Sequence, residues 1–386
     1  MKAEQFLAPS AIFYGPDSLE EAQTKVAELG TRALLVTDKI MEELKYVAKV
    51  KKILAASNLD AVVYSEVNQE PNDQHVSKGV SLYQQKQCDF IIALGGGSPI
   101  DAAKAIGAML TNSGSISDYM GLGKIKNAIP PLVAIPTTAG TGSEVTQYTI
   151  INDTANDVKM LIGSPELIPE VAIVDPLLTL SVPAEVTAAT AVDALTHAIE
   201  GYTSVKHQPL TDTLALSAIE RIANYLEQAY VDGSNIKARS QLMLAAMEAG
   251  MVINNSSVTL VHGLSRPIGA LFHLAHGISN AVLLGDCLEY ASEGNPERFA
   301  KVAQKLGVDD LELTDLEMAQ AGVAKVNELC SVVNIPSISE LGVNRNKFIK
   351  RLDKMAEDAL NSGSPANTYR QPSKKEIIGI YKKLIN

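Results

Sequence analysis

Cysteine is scarce in this chain, and the three residues present, Cys88, Cys287 and Cys330, are odd in number, far apart and in no CxxC arrangement. That excludes a disulfide framework and a thiolate metal site, and it fits a reducing cytoplasm. Positive charge is also in deficit. A net charge of -11 repels phosphate backbones, and the lysines are scattered among acids, so neither nucleic acid nor an anionic membrane surface is an expected partner. No apolar run approaches the length of a membrane span, and the opening MKAEQFLAPS lacks the hydrophobic core of a signal peptide. The expectation is a cytoplasmic protein. Low-complexity bias is missing as well: with 46% hydrophobic and 20% charged residues, this is the composition of a globular protein. Its 386 residues suffice for two domains with separate cores.

Histidine is the last scarcity. The chain has six, and five of them (His197, His207, His262, His273 and His276) fall in one window. Asp193 and His197 stand four apart in VDALTHAIE, a stretch of helical spacing, so one helix face presents both. Such a pair also occurs on solvated helix faces. His262 in LVHGLSRPIG and His276 in LAHGISN are each followed by glycine, which lets the backbone pass close to whatever the imidazole binds. Three imidazoles and a carboxylate suit a borderline divalent cation.

The first half of the chain alternates short apolar runs with helix-length segments. The runs are IFYG (12–15), ALLVT (33–37), AVVY (61–64), FIIAL (90–94), LVAIP (132–136) and VAIV (171–174). Continuous apolar strands separated by helices imply a parallel sheet buried on both faces. Beyond about residue 180 the strand signals stop, and helical patterns run near 183–202, 209–229, 235–253, 277–291, 295–306, 312–333, 345–359 and 374–384. The expected organisation is an α/β domain over 1–180, an open, mostly parallel, Rossmann-like sheet, followed by an all-helical domain over 181–386.

Two loops at the expected C-terminal edge of the sheet carry ligand signals. After FIIAL comes Gly95-Gly96-Gly97-Ser98-Pro99 and then the helix IDAAKAIGAML. Glycine amides and a helix N-terminus together suit a pyrophosphate. The GxGxxG fingerprint is absent, because Ile100 holds the place of its third glycine, and the triplet alone equally makes a ligand-free turn. The second loop, Pro136-Thr137-Thr138-Ala139-Gly140-Thr141-Gly142-Ser143-Glu144-Val145-Thr146, brings hydroxyls to the same edge, where open α/β folds bind ligands. Its hydroxyls also suit helix caps and turns. Asp38, just past ALLVT, fits either a helix N-cap or a carboxylate on the adenosine ribose that repels a 2′-phosphate, which favours NAD over NADP. Lys159 in NDVKML is a further candidate for the ribose or phosphate.

With these residues in view, the chain resembles the iron-containing (group III) alcohol dehydrogenases, the family of lactaldehyde reductase and 1,3-propanediol dehydrogenase. GGGSPIDAAKAIG, IPTTAGTGSEVT, the KM of NDVKML, VDPLLTLSVP, ATAVDALTHAIEGY, the VHG at 261–263 and HGISNAVLL at 276–284 follow the family's order and spacing. The resemblance implies a dehydroquinate synthase-like architecture, a nucleotide-binding domain followed by a helical one, with the reaction in the cleft between them. It implies a catalytic divalent metal on Asp193, His197, His262 and His276, and an NAD site drawn from Asp38, Gly96, Gly97, Ser98, Asp101, Thr137, Thr138, Thr141, Thr146, Lys159 and Thr179. It further implies a homodimer or larger assembly, and hydride transfer between the carbon of a small primary alcohol, diol or hydroxyaldehyde and nicotinamide C4. Four protein ligands plus a substrate oxygen exceed the usual coordination of catalytic zinc, which favours Fe²⁺, with Zn²⁺, Ni²⁺, Co²⁺ or Mn²⁺ suited to the same donors. A glycerol dehydrogenase-like polyol oxidoreductase and a non-catalytic metal- or nucleotide-binding relative are the alternatives.

Two positions depart from the family pattern. Arg266 stands where many members have a further histidine, and Ala275 replaces the usual proline before His276. A guanidinium stays protonated and cannot serve as a base. Arg266 is therefore expected either to pair with a carboxylate such as Glu200 or to meet an anionic or polyhydroxylated substrate. His273, three residues before His276, is a second candidate for the substrate pocket.

Overall fold

A computed structural model describes residues 3–156, 158–310 and 312–385. The chain divides into two compact units, one of Leu7–Val182 and one running from Pro183 onward, which also takes in the described residues up to Phe6. Gln208 Nε2 donates to the Gln5 carbonyl at 3.3 Å within this second unit.

The strands are β1 (Ala11–Tyr14), β2 (Arg32–Val36), β3 (Asp60–Tyr64), β4 (Phe90–Gly95), β5 (Gly121–Leu122), β6 (Leu132–Pro136), β7 (Tyr148–Asp153), β8 (Val158–Gly163) and β9 (Val171–Val174). Six of them form one sheet in the order β1-β9-β6-β4-β2-β3, and every neighbouring pair is parallel. All six are the apolar runs read from the sequence. Interspersed helices are α1 (Ser18–Glu21), α2 (Gln23–Ala27), α3 (Lys39–Glu43), α4 (Tyr46–Ala56), α5 (Asp73–Gln85) and α6 (Gly97–Thr111). Side chains alternate across a strand, and here each face finds its own cover. Leu34, Val36, Ile91, Ala93 and Leu132 pack with Ala102, Ala103 and Ile106 of α6. Ala33, Leu35, Phe90, Ile92 and Val133 pack on the other face with Val47, Val50 and Leu54 of α4. Burying both faces is what lets the strands dispense with polar alternation.

A second, small sheet, β5-β8-β7, was not legible in the sequence. Its β7–β8 pair is antiparallel, with Asn152 opposite Lys159.

The helical unit contains α7 (Ala184–Thr203), α8 (Pro209–Val231), α9 (Ile236–Asn255), α10 (Leu260–Phe272), α11 (His276–Ser292), α12 (Pro296–Lys305), α13 (Asp315–Val332), α14 (Arg345–Asn361) and α15 (Lys374–Lys383). Pro183 is the N-cap of α7, so the helix starts one residue after it. Most of α7 is buried, including Asp193, Thr196, His197 and Glu200. A helix with polar residues on a buried face must satisfy them there, because unpaired buried polar groups are costly. α10 is the helix that sequence reasoning did not find. It contains Pro267, which removes a backbone donor from the helix interior, and packing of its buried Leu260, Val261, Leu264 and Ile268 overrides that local cost.

Candidate functional site

Three helices converge on one carboxylate oxygen. α7 contributes Asp193 and, one turn later, His197; α10 contributes His262; α11 contributes its first residue, His276. The Nε2 atoms of His197, His262 and His276 lie 3.9, 3.9 and 3.8 Å from Asp193 Oδ1. One ligand atom from each of the four residues lies within 4.8 Å of the others. Gly277 makes this approach possible: a Cβ there would come 2.7 Å from the Ala189 carbonyl oxygen, so only glycine brings the start of α11 this close to α7. The rings of His197 and His262 stack at 4.7 Å, and those of His262 and His276 tilt at 5.3 Å.

Asp193, His197 and His262 are buried, whereas the His276 side chain keeps 33% exposure, which leaves the group open on one side. Burial works against the Asp193 charge, but the surrounding His197, His276 and His262, with the Asn280 amide, carry its carboxyl below the usual range. Burial, followed by the neighbouring His197 and His276, holds His262 well below the usual imidazole range, so its ring is neutral with a lone pair to give. Two ligands of one transition-metal ion, each at about 2.0–2.2 Å, stand no more than roughly 4.4 Å apart. The distances from Asp193 Oδ1 meet that condition. The donor set therefore fits a single divalent cation, which would draw the widest-spaced ligand atoms, within 4.8 Å of one another, slightly closer.

A buried shell orients this group. Glu200, one turn past His197, accepts from His262 Nδ1 at 2.5 Å, Thr259 Oγ1 at 2.8 Å and the Val261 amide at 2.6 Å. Accepting the Nδ1 proton fixes the tautomer that turns the Nε2 lone pair toward Asp193. Asn280 Nδ2 donates to Asp193 Oδ1 at 2.6 Å and lies 3.1 and 3.3 Å from Nε2 of His262 and His276. Sequence reasoning missed both roles. The signal was available for Glu200, which follows Asp193 and His197 at i+7 and i+3 on one helix face.

Arg266 does not pair with Glu200. Both oxygens of that carboxylate are committed elsewhere, and Arg266 Nη1 instead donates to Ser364 Oγ at 3.1 Å. His273 ends α10 as an exposed residue in the left-handed region (φ 55°), outside the group of four.

In the α/β unit, β4 ends in the glycine turn and α6 begins at Gly97. No side chain caps α6, so its first-turn N–H donors remain available to an anion. The second loop meets this turn. A Cβ on Gly97 would lie 2.9 Å from Thr141 Cγ2, one on Gly96 3.4 Å from Thr138 Oγ1, and the Thr137 amide donates to the Gly95 carbonyl at 3.0 Å. A cradle lined by backbone and hydroxyls, which a side chain would fill, fits a dinucleotide phosphate. Ser98 lies in the first turn of the same helix. Asp38 is an N-cap: its Oδ1 accepts from the Met41 amide at 3.0 Å, while Oδ2 faces Gly95. Burial raises its carboxyl above the usual range.

Other residues of the predicted nucleotide set are engaged with the protein itself. Asp101 accepts from Ser143 Oγ at 2.7 Å and the Ile150 amide at 2.9 Å. Thr146 Oγ1 meets Lys104 Nζ at 3.2 Å, Thr179 Oγ1 donates to the Pro176 carbonyl at 2.7 Å, and Lys159 on β8 pairs with Glu70. Lys104, fully buried, also donates to the Thr146 and Tyr148 carbonyls, both at 2.8 Å, and to Ser143 Oγ at 3.1 Å. Burial lowers its ammonium to about 8 against the pull of Asp101 and Glu144. Burial likewise raises Glu144 to about 7. This clamp holds the 137–146 loop to α6, and the lysine in AAKAIGA, alone in an apolar stretch, was its only trace in the sequence.

Both halves of the chain are similar to known proteins. The family profile described as iron-containing alcohol dehydrogenase matches residues 9–176, and the profile described as Fe-containing alcohol dehydrogenase family, C-terminal, matches residues 187–385. The chain is 37% identical to the 1,3-propanediol dehydrogenase of Klebsiella pneumoniae over 98% of each sequence. It is 36% identical to the NAD-dependent methanol dehydrogenase of Bacillus methanolicus over 93% of this chain and 95% of that one. A crystal structure of 1,3-propanediol oxidoreductase superposes with a TM-score of 0.96 at 37% identity, covering 99% of this chain and all of that one.

Proposed function

The chain belongs to the iron-containing alcohol dehydrogenase family, and from that premise we propose that it is a metal-dependent, NAD-linked alcohol dehydrogenase and aldehyde reductase acting on small primary alcohols, diols or hydroxyaldehydes. The observation that carries this reading is the convergence of three imidazole nitrogens on Asp193 Oδ1 within 3.9 Å. When bound, the cation supplies Lewis acidity that lowers the pKa of a hydroxyl oxygen, and the nicotinamide supplies the hydride acceptor.

The protein's own part is placement. Asp193, His197, His262 and His276 hold the cation, Fe²⁺ by preference. Glu200 keeps the His262 ring in the tautomer that this requires. The half-exposed edge at His276 is where a substrate oxygen enters. On the other unit, the α6 N-terminus with Gly96, Gly97 and Ser98 binds the pyrophosphate, and Thr137, Thr138 and Thr141 line it. Asp38 Oδ2, the oxygen left over from capping α3, accepts from the ribose and disfavours a 2′-phosphate. Asp101, Thr146, Thr179 and Lys159 act indirectly, by fixing the backbone around the cofactor. The enzyme works in the cytoplasm as a homodimer or larger homo-oligomer. Unpaired Cys88, Cys287 and Cys330 support that location, and among the described residues no helix is long and apolar enough to cross a membrane.

Protein reconstituted with Fe²⁺ should oxidise NADH when given a short aldehyde and should do so poorly with NADPH. NADH binding without consumption, across a panel of aldehydes and metals, would refute the enzymatic reading.

A further inference from the structure

One charged group beside the tetrad has no part in the chemistry so far. Arg266 stands on α10 four residues beyond His262, about 6 Å along the same helix face. Nη1 donates to Ser364 Oγ, and no other hydrogen bond or ion pair engages the guanidinium among the described residues. The side chain is partly exposed, and Nε and Nη2 donate to no protein acceptor among the described residues. Burial lowers the Arg266 guanidinium from its usual range, and the nearby Glu200 carboxylate offsets part of that shift. Glu200 cannot neutralise the guanidinium by contact, because its oxygens are taken by His262, Thr259 and Val261. A half-buried, permanently charged fork with open donors is the arrangement that recognises an oxyanion bidentately.

We propose that Arg266 binds an anionic group on the substrate, so that the preferred substrates are short aldehydes and alcohols carrying a carboxylate, sulfonate or phosphate. The one-turn offset between His262 and Arg266 sets the span, with about two to four atoms separating the reacting carbon from the anion. The fork grips the anion through Nε and Nη2, while Ser364 steadies Nη1. This inference rests on the alcohol dehydrogenase reading above.

The test compares 4-oxobutanoate with butanal as substrates of the metal-loaded full chain with NADH, in wild type, Arg266→Gln and Arg266→Lys. Loss of a charge-assisted bond changes affinity by about 10- to 100-fold. Wild type should favour 4-oxobutanoate, chiefly through KM. The ratio of kcat/KM values should fall by about that factor in Arg266→Gln, with Arg266→Lys between the two because it keeps the charge and loses the fork. A wild-type ratio at or below one, or a ratio unchanged in Arg266→Gln, overturns the proposal. If neither aldehyde is reduced, the dehydrogenase reading fails, and calorimetric binding of 4-hydroxybutanoate decides this one separately. Weaker binding to Arg266→Gln upholds it, and equal binding to both proteins overturns it.

Discussion

Around Asp193 the nitrogens of three imidazoles, two buried and one partly exposed, converge on a buried carboxylate, whereas around Lys104 the buried donors and acceptors close on themselves. Lys104 spends its hydrogens on Ser143, Thr146 and Tyr148, and Asp101 takes Ser143 and Ile150. At the tetrad the Asn280 amide donates to Asp193 and lies against His262 and His276. Both regions are dense with polar side chains in apolar surroundings, so density alone does not mark a ligand site. The distinction lies in the sign and direction of the donors. Acceptors that converge call for a cation, and a network that is complete within itself is a clamp that positions something else, here the loop of residues 137–146.

That contrast can be broken at either end. The largest effect is expected from Glu200→Gln, which removes the carboxylate that fixes His262. Metal affinity should fall by about 10- to 100-fold in chelator competition, with NADH affinity unchanged; a variant that binds metal as tightly as wild type would show that Glu200 does not organise the tetrad. Gly97→Ala should do the reverse, since its Cβ lies 2.9 Å from Thr141. The NADH dissociation constant, read from nucleotide fluorescence, should rise by about tenfold, or roughly 1.4 kcal/mol, while metal content stays at the wild-type level. Wild-type nucleotide affinity would mean that the two loops do not form the cradle.

The smallest effect tests the clamp. The Glu144 carboxyl is raised in the folded protein from 4.5 to about 7, so between those values the folded state holds a proton that the unfolded state has released. Its contribution is therefore most favourable below pH 4.5 and is lost as pH rises to about 7. Glu144→Gln should flatten that dependence and stabilise the protein at pH 8 by about 1 kcal/mol, less than the full shift because Lys104 loses a favourable charge. Thermal melts at pH 5 and pH 8 that keep the wild-type difference would contradict this.

Six strands and the grouping of Asp193, His197, His262 and His276 were legible because their signals are local: uninterrupted apolar runs, and rare residue types at fixed spacing. Other features depended on contacts that no single stretch displays. α10 escaped because Gly263, Pro267 and Gly269 speak against a helix, and only burial of Leu260, Val261, Leu264 and Ile268 outweighs them. The β7–β8 ribbon escaped because TIIND and VKMLIG lack clean alternation. Asp38 was open between a cap and a cofactor contact, and the structure gives one oxygen to the cap and leaves the other beside Gly95. The pairing of Arg266 with Glu200 was a reasonable match of charges, but His262 stood nearer in the fold and had the better claim on that carboxylate.

Metal stoichiometry tested against turnover is the most direct probe of the account. Chelator-stripped protein should be inactive with NADH and aldehyde and regain activity linearly up to one Fe²⁺ per chain, and His262→Ala should retain neither metal nor activity. Turnover that survives stripping, or a His262→Ala protein that still binds one equivalent and works, would contradict it.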